Sequence, residues 1–207
     1  MNGLIIVGAS GHGRVIADIA KLIGYSDISF LDDNDTKVTC GQYKVVGKVK
    51  DYIKYIDHDF IIGIGNADIR ESLQNEITKC NGRFVTMVHP KAVVTEDVVI
   101  GEGSVVMAGA VINTGSIIGK GVIVNTCSSV DHDCVVGDFS HVSVGAHLAG
   151  TVHVGEKTWI GSGATIINNV SIIRYCYIGA GATVISDITE VGTYVGLPAV
   201  KITKNDN

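Results

Sequence analysis

From Val94 to Val184, every sixth residue of the chain is valine, isoleucine or leucine, sixteen times without a break. Four residues after each of these aliphatic positions comes a compact side chain, most often serine, alanine, cysteine or threonine. A period of six matches neither the 3.6-residue period of a helix nor the two-residue alternation of a strand. It predicts a triangular coil of three short strands that turns a corner every six residues, so nearly half of the chain is a β-solenoid.

The phase of this repeat predicts which residues share a place on neighbouring coils. Three sides of six residues make a coil of eighteen, so residues eighteen apart should stack about 4.8 Å apart. The compact position should point into the coil, which places the Cys134 thiol inside as a small hydrophobe. Glycines recur directly after the aliphatic position, and we expect them at corners where the backbone is strained: Gly101, Gly119, Gly137, Gly155, Gly161 and Gly179.

The beginning of the chain has a different pattern, in which short apolar runs alternate with helical segments. The runs at 4–7, 28–31 and 60–64 lead into a glycine loop (8–13), an aspartate pair and Gly65-Asn66. Strands alternating with helices predict a parallel sheet, which binds ligands at the carboxyl ends of its strands. The glycine loop should therefore either cradle a phosphate at a helix N-terminus or form a tight turn. The aspartates should either accept hydrogen bonds from a ribose or base or form a solvated turn.

His89-Pro90 marks the join, because the residue before a proline is disfavoured in helical geometry. We therefore predict an α/β, Rossmann-like domain with a small parallel sheet over residues 1–88 and the all-β solenoid over 89–207. The C-terminal tail, with Gly196-Leu197-Pro198-Ala199, is expected to leave the coil.

Composition excludes several classes of partner. The net charge is −5 and no lysine or arginine cluster occurs, which argues against nucleic acid or an anionic membrane. No apolar run approaches the roughly 18 residues of a membrane span, and the N-terminus lacks the pattern of a signal peptide. Five cysteines without a C-x-x-C pair indicate reduced thiols and a cytoplasmic protein.

Four of the seven histidines lie in the central coils. His141, His147 and His153 are spaced by six, so they should lie on three sides of the coil and cannot bind one metal ion within a chain. His132 lies between two aspartates, and a neighbouring carboxylate raises the basicity of an imidazole, as a general base requires. Gly150 should stack over His132 on the next coil, where its amide could stabilise an oxyanion. The alternative is a solvated polar corner.

A repeat of the form aliphatic, often glycine, two variable, small, variable resembles that of the hexapeptide-repeat acyltransferases. That resemblance implies a left-handed parallel β-helix, usually trimeric, and acetyl-CoA as the acyl donor. With the loop 8–13, the chain resembles bacterial nucleotide-sugar acetyltransferases of the bacillosamine N-acetyltransferase group, related to perosamine N-acetyltransferases and sialic acid O-acetyltransferases. The segments 125–134 and 139–146 resemble the catalytic coil of that group.

Carried over residue by residue, the resemblance implies that His132 is the general base, that Asp133 raises its basicity and that the Gly150 amide receives the thioester oxygen. A glutamate is common at the position of Asp133, so it is open whether Asp133 or Asp131 orients the histidine. The implied binding residues form two sets. Those for acetyl-CoA are His141, Gly150, Ser162 and Ala180; those for the nucleotide-sugar are Ser10, Gly11, His12, Asp32, Asp33 and Asn125.

The resulting hypothesis is an acetyl-CoA-dependent N-acetyltransferase that acts on a nucleotide-linked, UDP-type, 4-amino-sugar without a metal ion. Because His132 and His141 are half a coil apart, the sites are expected between the subunits of a homotrimer. Two alternatives remain: an O-acetyltransferase of a sugar hydroxyl, and a non-catalytic trimeric scaffold that binds a nucleotide-sugar.

Overall fold

The structure, a computed structural model, describes residues 2–202. Residues 2–90 with 102–105 form one compact unit, and residues 91–101 with 106–202 form a second. Across the described residues, none of the helices combines the length and apolarity needed to cross a membrane. The two units are an α/β unit and a left-handed parallel β-helix, which confirms the predicted fold class.

The first unit is built on a six-stranded sheet of order β3-β4-β2-β1-β5-β6, parallel except for the pair β3 and β4. Its helices α1 and α2 follow β1 and β5, as the alternating pattern predicts. The elements are β1 Leu4–Val7, α1 Gly11–Leu22, β2 Ile28–Leu31, β3 Thr39–Cys40, β4 Tyr43–Gly47, a 3-10 helix Val49–Tyr55, β5 Asp59–Ile62, α2 Ala67–Lys79, β6 Arg83–Phe84 and β7 Met87–Val88.

Local chemistry explains where these helices begin. The Ser10 hydroxyl accepts a hydrogen bond from the Gly13 amide at 3.2 Å, and the Asn66 side chain accepts one from the Ile69 amide at 3.0 Å. Both residues satisfy amides that a helix leaves without a carbonyl partner. The strands β1 and β5 are buried along their whole length, so the chain reaches its functional loops from a rigid core.

The second unit is a parallel β-helix of two-residue strands, and strands eighteen residues apart pair with each other. For example, Val111 pairs with Ser129 and Ser129 with His147. The strands are β8 Val93–Val94, β9 Val99–Ile100, β10 Val105–Val106, β11 Val111–Ile112, β12 Ile117–Ile118, β13 Ile123–Val124, β14 Ser129–Val130, β15 Val135–Val136, β16 His141–Val142, β17 His147–Leu148, β18 His153–Val154, β19 Trp159–Ile160, β20 Thr165–Ile166, β21 Ser171–Ile172, β22 Tyr177–Ile178, β23 Thr183–Val184, β24 Thr193–Val195 and β25 Val200–Lys201.

The interior of the coil confirms the predicted phase. The aliphatic positions from Val106 to Val184 are buried, as is the Cys134 thiol. Buried serines in the compact position donate to carbonyls of the neighbouring coil: Ser116 Oγ to the Asp131 oxygen at 2.7 Å and Ser140 Oγ to the Gly155 oxygen at 2.9 Å. A small side chain here leaves room for the opposite aliphatic residues, and its hydroxyl has a partner.

The corners correct our expectation for the glycines that follow the aliphatic position. The backbone has positive φ two residues later, at positions such as Gly115, Asp133 and Gly145. The glycines after the aliphatic residue are instead required for space. At Gly101, Gly119, Gly137, Gly155 and Gly161, a methyl group would lie within 3.0 Å of the backbone of the next coil.

The C-terminal tail leaves the coil, as expected. The strand directly before Gly196, β24, still pairs in parallel with β22. The chain then reverses, and β25 pairs antiparallel with β24, with Val195 opposite Val200. The segment 196–199 is therefore the turn of a hairpin that covers the edge of this sheet.

Candidate active site

His132 lies on the corner between β14 and β15, and its side chain is 49% exposed. Its Nδ1 is 2.8 Å from the Asp133 Oδ2. Since a carboxylate only accepts, Nδ1 carries a proton and the Nε2 lone pair of the neutral imidazole is free. Asp133 has positive φ, which the sharp corner requires and which aspartate tolerates better than most residues. Asp133 therefore orients the imidazole.

Asp131 makes a different contact. Its Oδ1 accepts a hydrogen bond from the His132 backbone amide at 2.8 Å and another from Asn113 Nδ2 at 2.8 Å. The hydrogen bond to Asp133, together with the charges of both aspartates, raises the pKa of His132 above its ordinary value. His132 is thus a stronger base than a free histidine.

Gly150 stacks against the imidazole, as the phase predicts. A methyl group at Gly150 would overlap the ring at Nε2, so only glycine at this position leaves room for the imidazole where it stands. Among residues 2–202, no backbone hydrogen bond uses the Gly150 amide. That amide is therefore a donor available beside the base, as an oxyanion site requires.

Asn125 and His141 lie together on another side of the coil. Asn125 Nδ2 is 3.0 Å from His141 Nε2, and Asn125 Oδ1 accepts from the Thr126 amide. His141 stands in register with Trp159, and Trp159 with Tyr177, so that three rings form a ladder across three coils. Within the chain, the structure brings Asn125 to His141 but places His132 on a different corner.

Ser162 and Ala180 lie on the corner that follows the ring ladder, one coil apart. The neighbouring residues Gly145, Gly163 and Gly181 have positive φ, and each faces open space where a side chain would start. Most other corners from Cys127 to Tyr175 carry a side chain at this position. Over three consecutive coils this edge, called the bare edge below, therefore carries no side chain at the position of these glycines.

The first unit contains a cleft of about 430 Å³ at the carboxyl ends of β1, β2 and β5. It lies where the sequence predicts a ligand site. Its walls combine the glycine loop and the aspartate pair with apolar side chains: Gly8, Ser10, Asp32, Asp33, Val49, Gly63, Ile64, Gly65, Ile69 and Leu73. Gly11 and His12 are not among the lining residues.

The two aspartates of the cleft bind the backbone. Asp32 accepts hydrogen bonds from the amides of Ala9 and Asn34, at 2.7 and 2.9 Å, and thereby fixes the glycine loop. Asp33 Oδ1 accepts from the Val49 amide at 2.9 Å. Burial alone would raise the pKa of Asp32. The hydrogen bonds from Asn34 and Ala9 and the charge of Lys37 outweigh burial and hold that pKa below its ordinary value.

His12 belongs to the glycine loop and lies in the first turn of α1. Burial, with a smaller contribution from the charge of Arg70, lowers the pKa of His12 to about 4, so its imidazole is neutral at neutral pH. Its buried Nε2 makes no hydrogen bond within the described part of the chain. Arg70 donates to the carbonyls of Ile64 and Gly65, which carry the wall of the cleft.

The three histidines spaced by six lie on three sides of the coil, as the period predicts. His141, His147 and His153 lie on β16, β17 and β18, which belong to three different sheets. Over residues 2–202, no cluster of three or more histidine, cysteine or acidic side chains is arranged to hold a metal ion. Asn113 was not singled out from the sequence, although its spacing of eighteen from Asp131 would have placed it beside that aspartate.

Residues 3–77 match the family described as the PglD N-terminal domain. A curated relative is the UDP-N-acetylbacillosamine N-acetyltransferase of Bacillus subtilis, 34% identical over 115 residues. That match covers 52% of this chain and 52% of the relative, so it spans about half the length of the curated protein.

Solved structures match over almost the whole chain. The acetyltransferase domain of PglB from Neisseria gonorrhoeae, in complex with acetyl coenzyme A, is 37% identical with a TM-score of 0.93, over 97% of this chain and 99% of that one. PerB from Caulobacter crescentus, in complex with CoA and GDP-perosamine, is 32% identical with a TM-score of 0.93, over 98% of both chains.

Proposed function

The chain belongs to the hexapeptide-repeat sugar acetyltransferases, and on that premise we propose that it transfers the acetyl group of acetyl-CoA to the amine of a nucleotide-linked 4-amino-sugar, UDP-linked in its natural substrate. The observation that carries the proposal is the corner of the β-helix at which a basic, oriented imidazole meets a free backbone amide. His132 supplies the first and Gly150 the second.

The proposed reaction is a direct transfer. The amine nitrogen attacks the thioester carbonyl carbon while Nε2 of His132 accepts a proton from that nitrogen. The Gly150 amide donates a hydrogen bond to the carbonyl oxygen as it becomes negative. The C–S bond then breaks, the amide product forms, and the CoA thiolate takes a proton. Asp133 stabilises the imidazolium that exists between these steps.

We place the acyl donor along the bare edge of the solenoid. Ser162 and Ala180 stand there beside three glycines without side-chain obstruction, so an extended chain can lie against the backbone. His141 is fixed by Asn125 at the start of the same edge, and we assign it to holding the acyl donor. Asn125 is assigned to the acceptor.

We assign the nucleotide to the cleft of the first unit. The α1 N-terminus, capped by Ser10, presents a positive dipole end to a diphosphate, with Gly11 next to it. Asp33 is the carboxylate for ribose or base. Asp32 is assigned to shaping the loop that makes these contacts, because it accepts from the Ala9 amide, and His12 is assigned the same role as a residue of that loop.

We further propose a homotrimer in which each site is shared by two subunits. His132 and His141 lie on different corners of one chain, so a donor held by His141 meets the base of another subunit. The exposed ring ladder, with Trp159 and Tyr177 41% and 51% exposed, adds to the surface that such an assembly would bury.

The reaction is tested with acetyl-CoA and a panel of acceptors. The panel contains UDP-, GDP- and dTDP-linked 4-amino-sugars together with the matching hydroxyl sugars, and free thiol release and product mass are measured. We expect thiol release with the amino-sugars and a product heavier by one acetyl group.

The matched hydroxyl acceptors separate the two chemistries, since they differ from the amines only at the nucleophile. Faster transfer to a hydroxyl sugar would replace N-acetylation with O-acetylation. If acetyl-CoA binds by calorimetry but none of the amino-sugars of the panel causes thiol release, the proposed acceptor class is contradicted.

A further inference from the structure

Asn113 is one coil before Asp131 and contacts it directly. Asn113 Nδ2 donates to Asp131 Oδ1 at 2.8 Å, and the same oxygen accepts the His132 backbone amide at 2.8 Å. One carboxylate oxygen thus connects a side chain of the preceding coil to the backbone of His132.

That backbone amide depends on a side chain for its partner. Among the described corners, the amide of the second residue donates to no carbonyl of the neighbouring coil. Side chains accept from it instead: Asp138 Oδ1 from the Lys120 amide, and Asn125 Oδ1 from the Thr126 amide. At Gly150 the equivalent amide forms none of the described backbone hydrogen bonds. The His132 amide is held by Asp131, so the position of Asp131 decides how the corner is fixed.

Asn113 fixes Asp131 in two respects. Its amide group leaves the carboxylate one orientation in which both donors are satisfied. Its hydrogen bond is also the largest cause that holds the pKa of Asp131 below its ordinary value. The charge of Asp131 in turn contributes to the basicity of His132.

The rest of the corner is held in the same way by the preceding coil. The Asp133 amide donates to the Thr114 carbonyl at 2.9 Å, and Ser116 Oγ donates to the Asp131 carbonyl. Asp97 of the coil before that binds Thr114 Oγ1 and the Gly115 amide. Asn113 is the member of this set that reaches a side chain flanking the base.

We propose that Asn113 is a positioning residue for the general base: it holds the Asp131 carboxylate against the His132 backbone and so fixes where the imidazole stands. This inference rests on the proposed function. It concerns a residue that the proposed function assigns to neither the acyl donor nor the acceptor.

The test compares two variants. One is the single substitution Asn113→Ala; the other, the exchanged pair, combines Asn113→Asp and Asp131→Asn so that the amide and the carboxylate exchange places. Asn113→Ala is expected to lower kcat about tenfold, as a small misplacement of a catalytic group does, and to leave KM for acetyl-CoA within about twofold. In the exchanged pair, the new amide at position 131 can accept from the His132 amide and donate to the new carboxylate. We expect it to restore kcat to within about threefold of the wild type.

Two controls separate positioning from general stability. Ser129→Ala removes a hydrogen bond of the same kind, to His147 one coil on at 2.8 Å, on the strand that leads into this corner, and should leave kcat unchanged. In a His132→Ala background, Asn113→Ala should cause no further loss. An equal loss in that background, a kcat of Asn113→Ala within twofold of the wild type, or no recovery in the exchanged pair would overturn the proposal.

A second readout does not depend on acetyl transfer. Hydrogen exchange of the His132 amide, followed by NMR, should accelerate in Asn113→Ala and slow again in the exchanged pair. If the wild-type chain acetylates no amino-sugar, the proposed function fails while this exchange result still decides the contact on which the positioning role depends. Unchanged exchange in Asn113→Ala would overturn the role.

Discussion

At the scale of single residues, the two carboxylates that flank His132 bind different atoms of it. Asp133 accepts from the ring and Asp131 from the backbone amide. The sequence shows an aspartate on each side of His132, and the phase of the six-residue repeat predicted that Gly150 stacks on it. Which aspartate orients the ring was not predictable, because both flank the histidine in sequence. The positive φ of Asp133 and the hydrogen bond from Asn113 to Asp131 decide it.

Replacing the base should abolish turnover. His132→Ala removes the group that accepts the proton, and general-base catalysis contributes about 10²–10⁴-fold. We expect kcat to fall by at least about 10²-fold with an unchanged circular dichroism spectrum, because the side chain is exposed. A variant that retains more than about a tenth of the wild-type kcat would remove His132 from the mechanism.

The pH profile should report the bond between Asp133 and His132. The base works only when unprotonated, so activity falls as the pH drops through the raised pKa of His132. Asp133→Asn removes the largest cause of that raised pKa, so the acid limb of kcat/KM should move to lower pH while the plateau falls. Asp133→Glu, which keeps the charge, is the matched control and should keep the acid limb. An unmoved limb in Asp133→Asn would contradict the assignment.

Gly150→Ala should be inactive although its backbone can accommodate alanine. The methyl group would displace the imidazole at Nε2 and crowd the amide that serves the oxyanion. Loss of one oxyanion donor alone costs about 10²–10³-fold in kcat. Steady-state kinetics at saturating acetyl-CoA measure this, and activity near that of the wild type would place the oxyanion elsewhere.

At the scale of elements, the solenoid was predictable and parts of the first unit were not. The six-residue period predicts the strands from β8 to β23, and those from β10 onward each bury the aliphatic residue of the repeat. The strands at Thr39–Cys40 and Tyr43–Gly47 were missed because neither is a buried apolar run: the first has two residues, and no residue of the second is fully buried. The C-terminal hairpin was missed because the turn residues at 196–199 also fit a chain that leaves the coil.

The packing of coil on coil makes a prediction about stability. A methyl group at Gly137 would lie 2.5 Å from the Glu156 nitrogen of the next coil, and backbone atoms cannot move away as a flexible side chain can. Gly137→Ala should lower the free energy of unfolding by about 1–3 kcal/mol, the usual cost of overpacking. Gly11→Ala, where a methyl group meets nothing within 4 Å, is the matched control in the same denaturant titration. Equal stability of the two variants would contradict this account of the glycines.

At the scale of the whole molecule, association could be inferred from the sequence only indirectly, through the half coil between His132 and His141. The structure supports that separation, since the histidines belong to different sides of the β-helix. The faces that meet in a trimer depend on surface complementarity between copies, which no periodic pattern within one chain encodes.

Subunit mixing tests the shared site. His132→Ala and His141→Ala should each be inactive alone, yet co-expression should restore about a quarter of the sites, because random pairing joins two intact halves at that frequency. A mixture of His132→Ala with Gly150→Ala, which damage the same half of the site, is the control and should stay inactive. No recovery in the first mixture would mean that each site lies within one subunit.

With the acyl donor along the bare edge formed by Gly145, Gly163 and Gly181, as proposed above, the β-helix would act as a ruler for the length of that donor. Each coil advances the edge by about 4.8 Å, so the number of glycine-faced coils beyond the base sets the length of extended chain that can lie there. Such a scaffold changes its reach in whole steps, by gain or loss of eighteen residues, without altering the corner that does the chemistry. Specificity for donor length and catalytic power are therefore separately adjustable in this architecture.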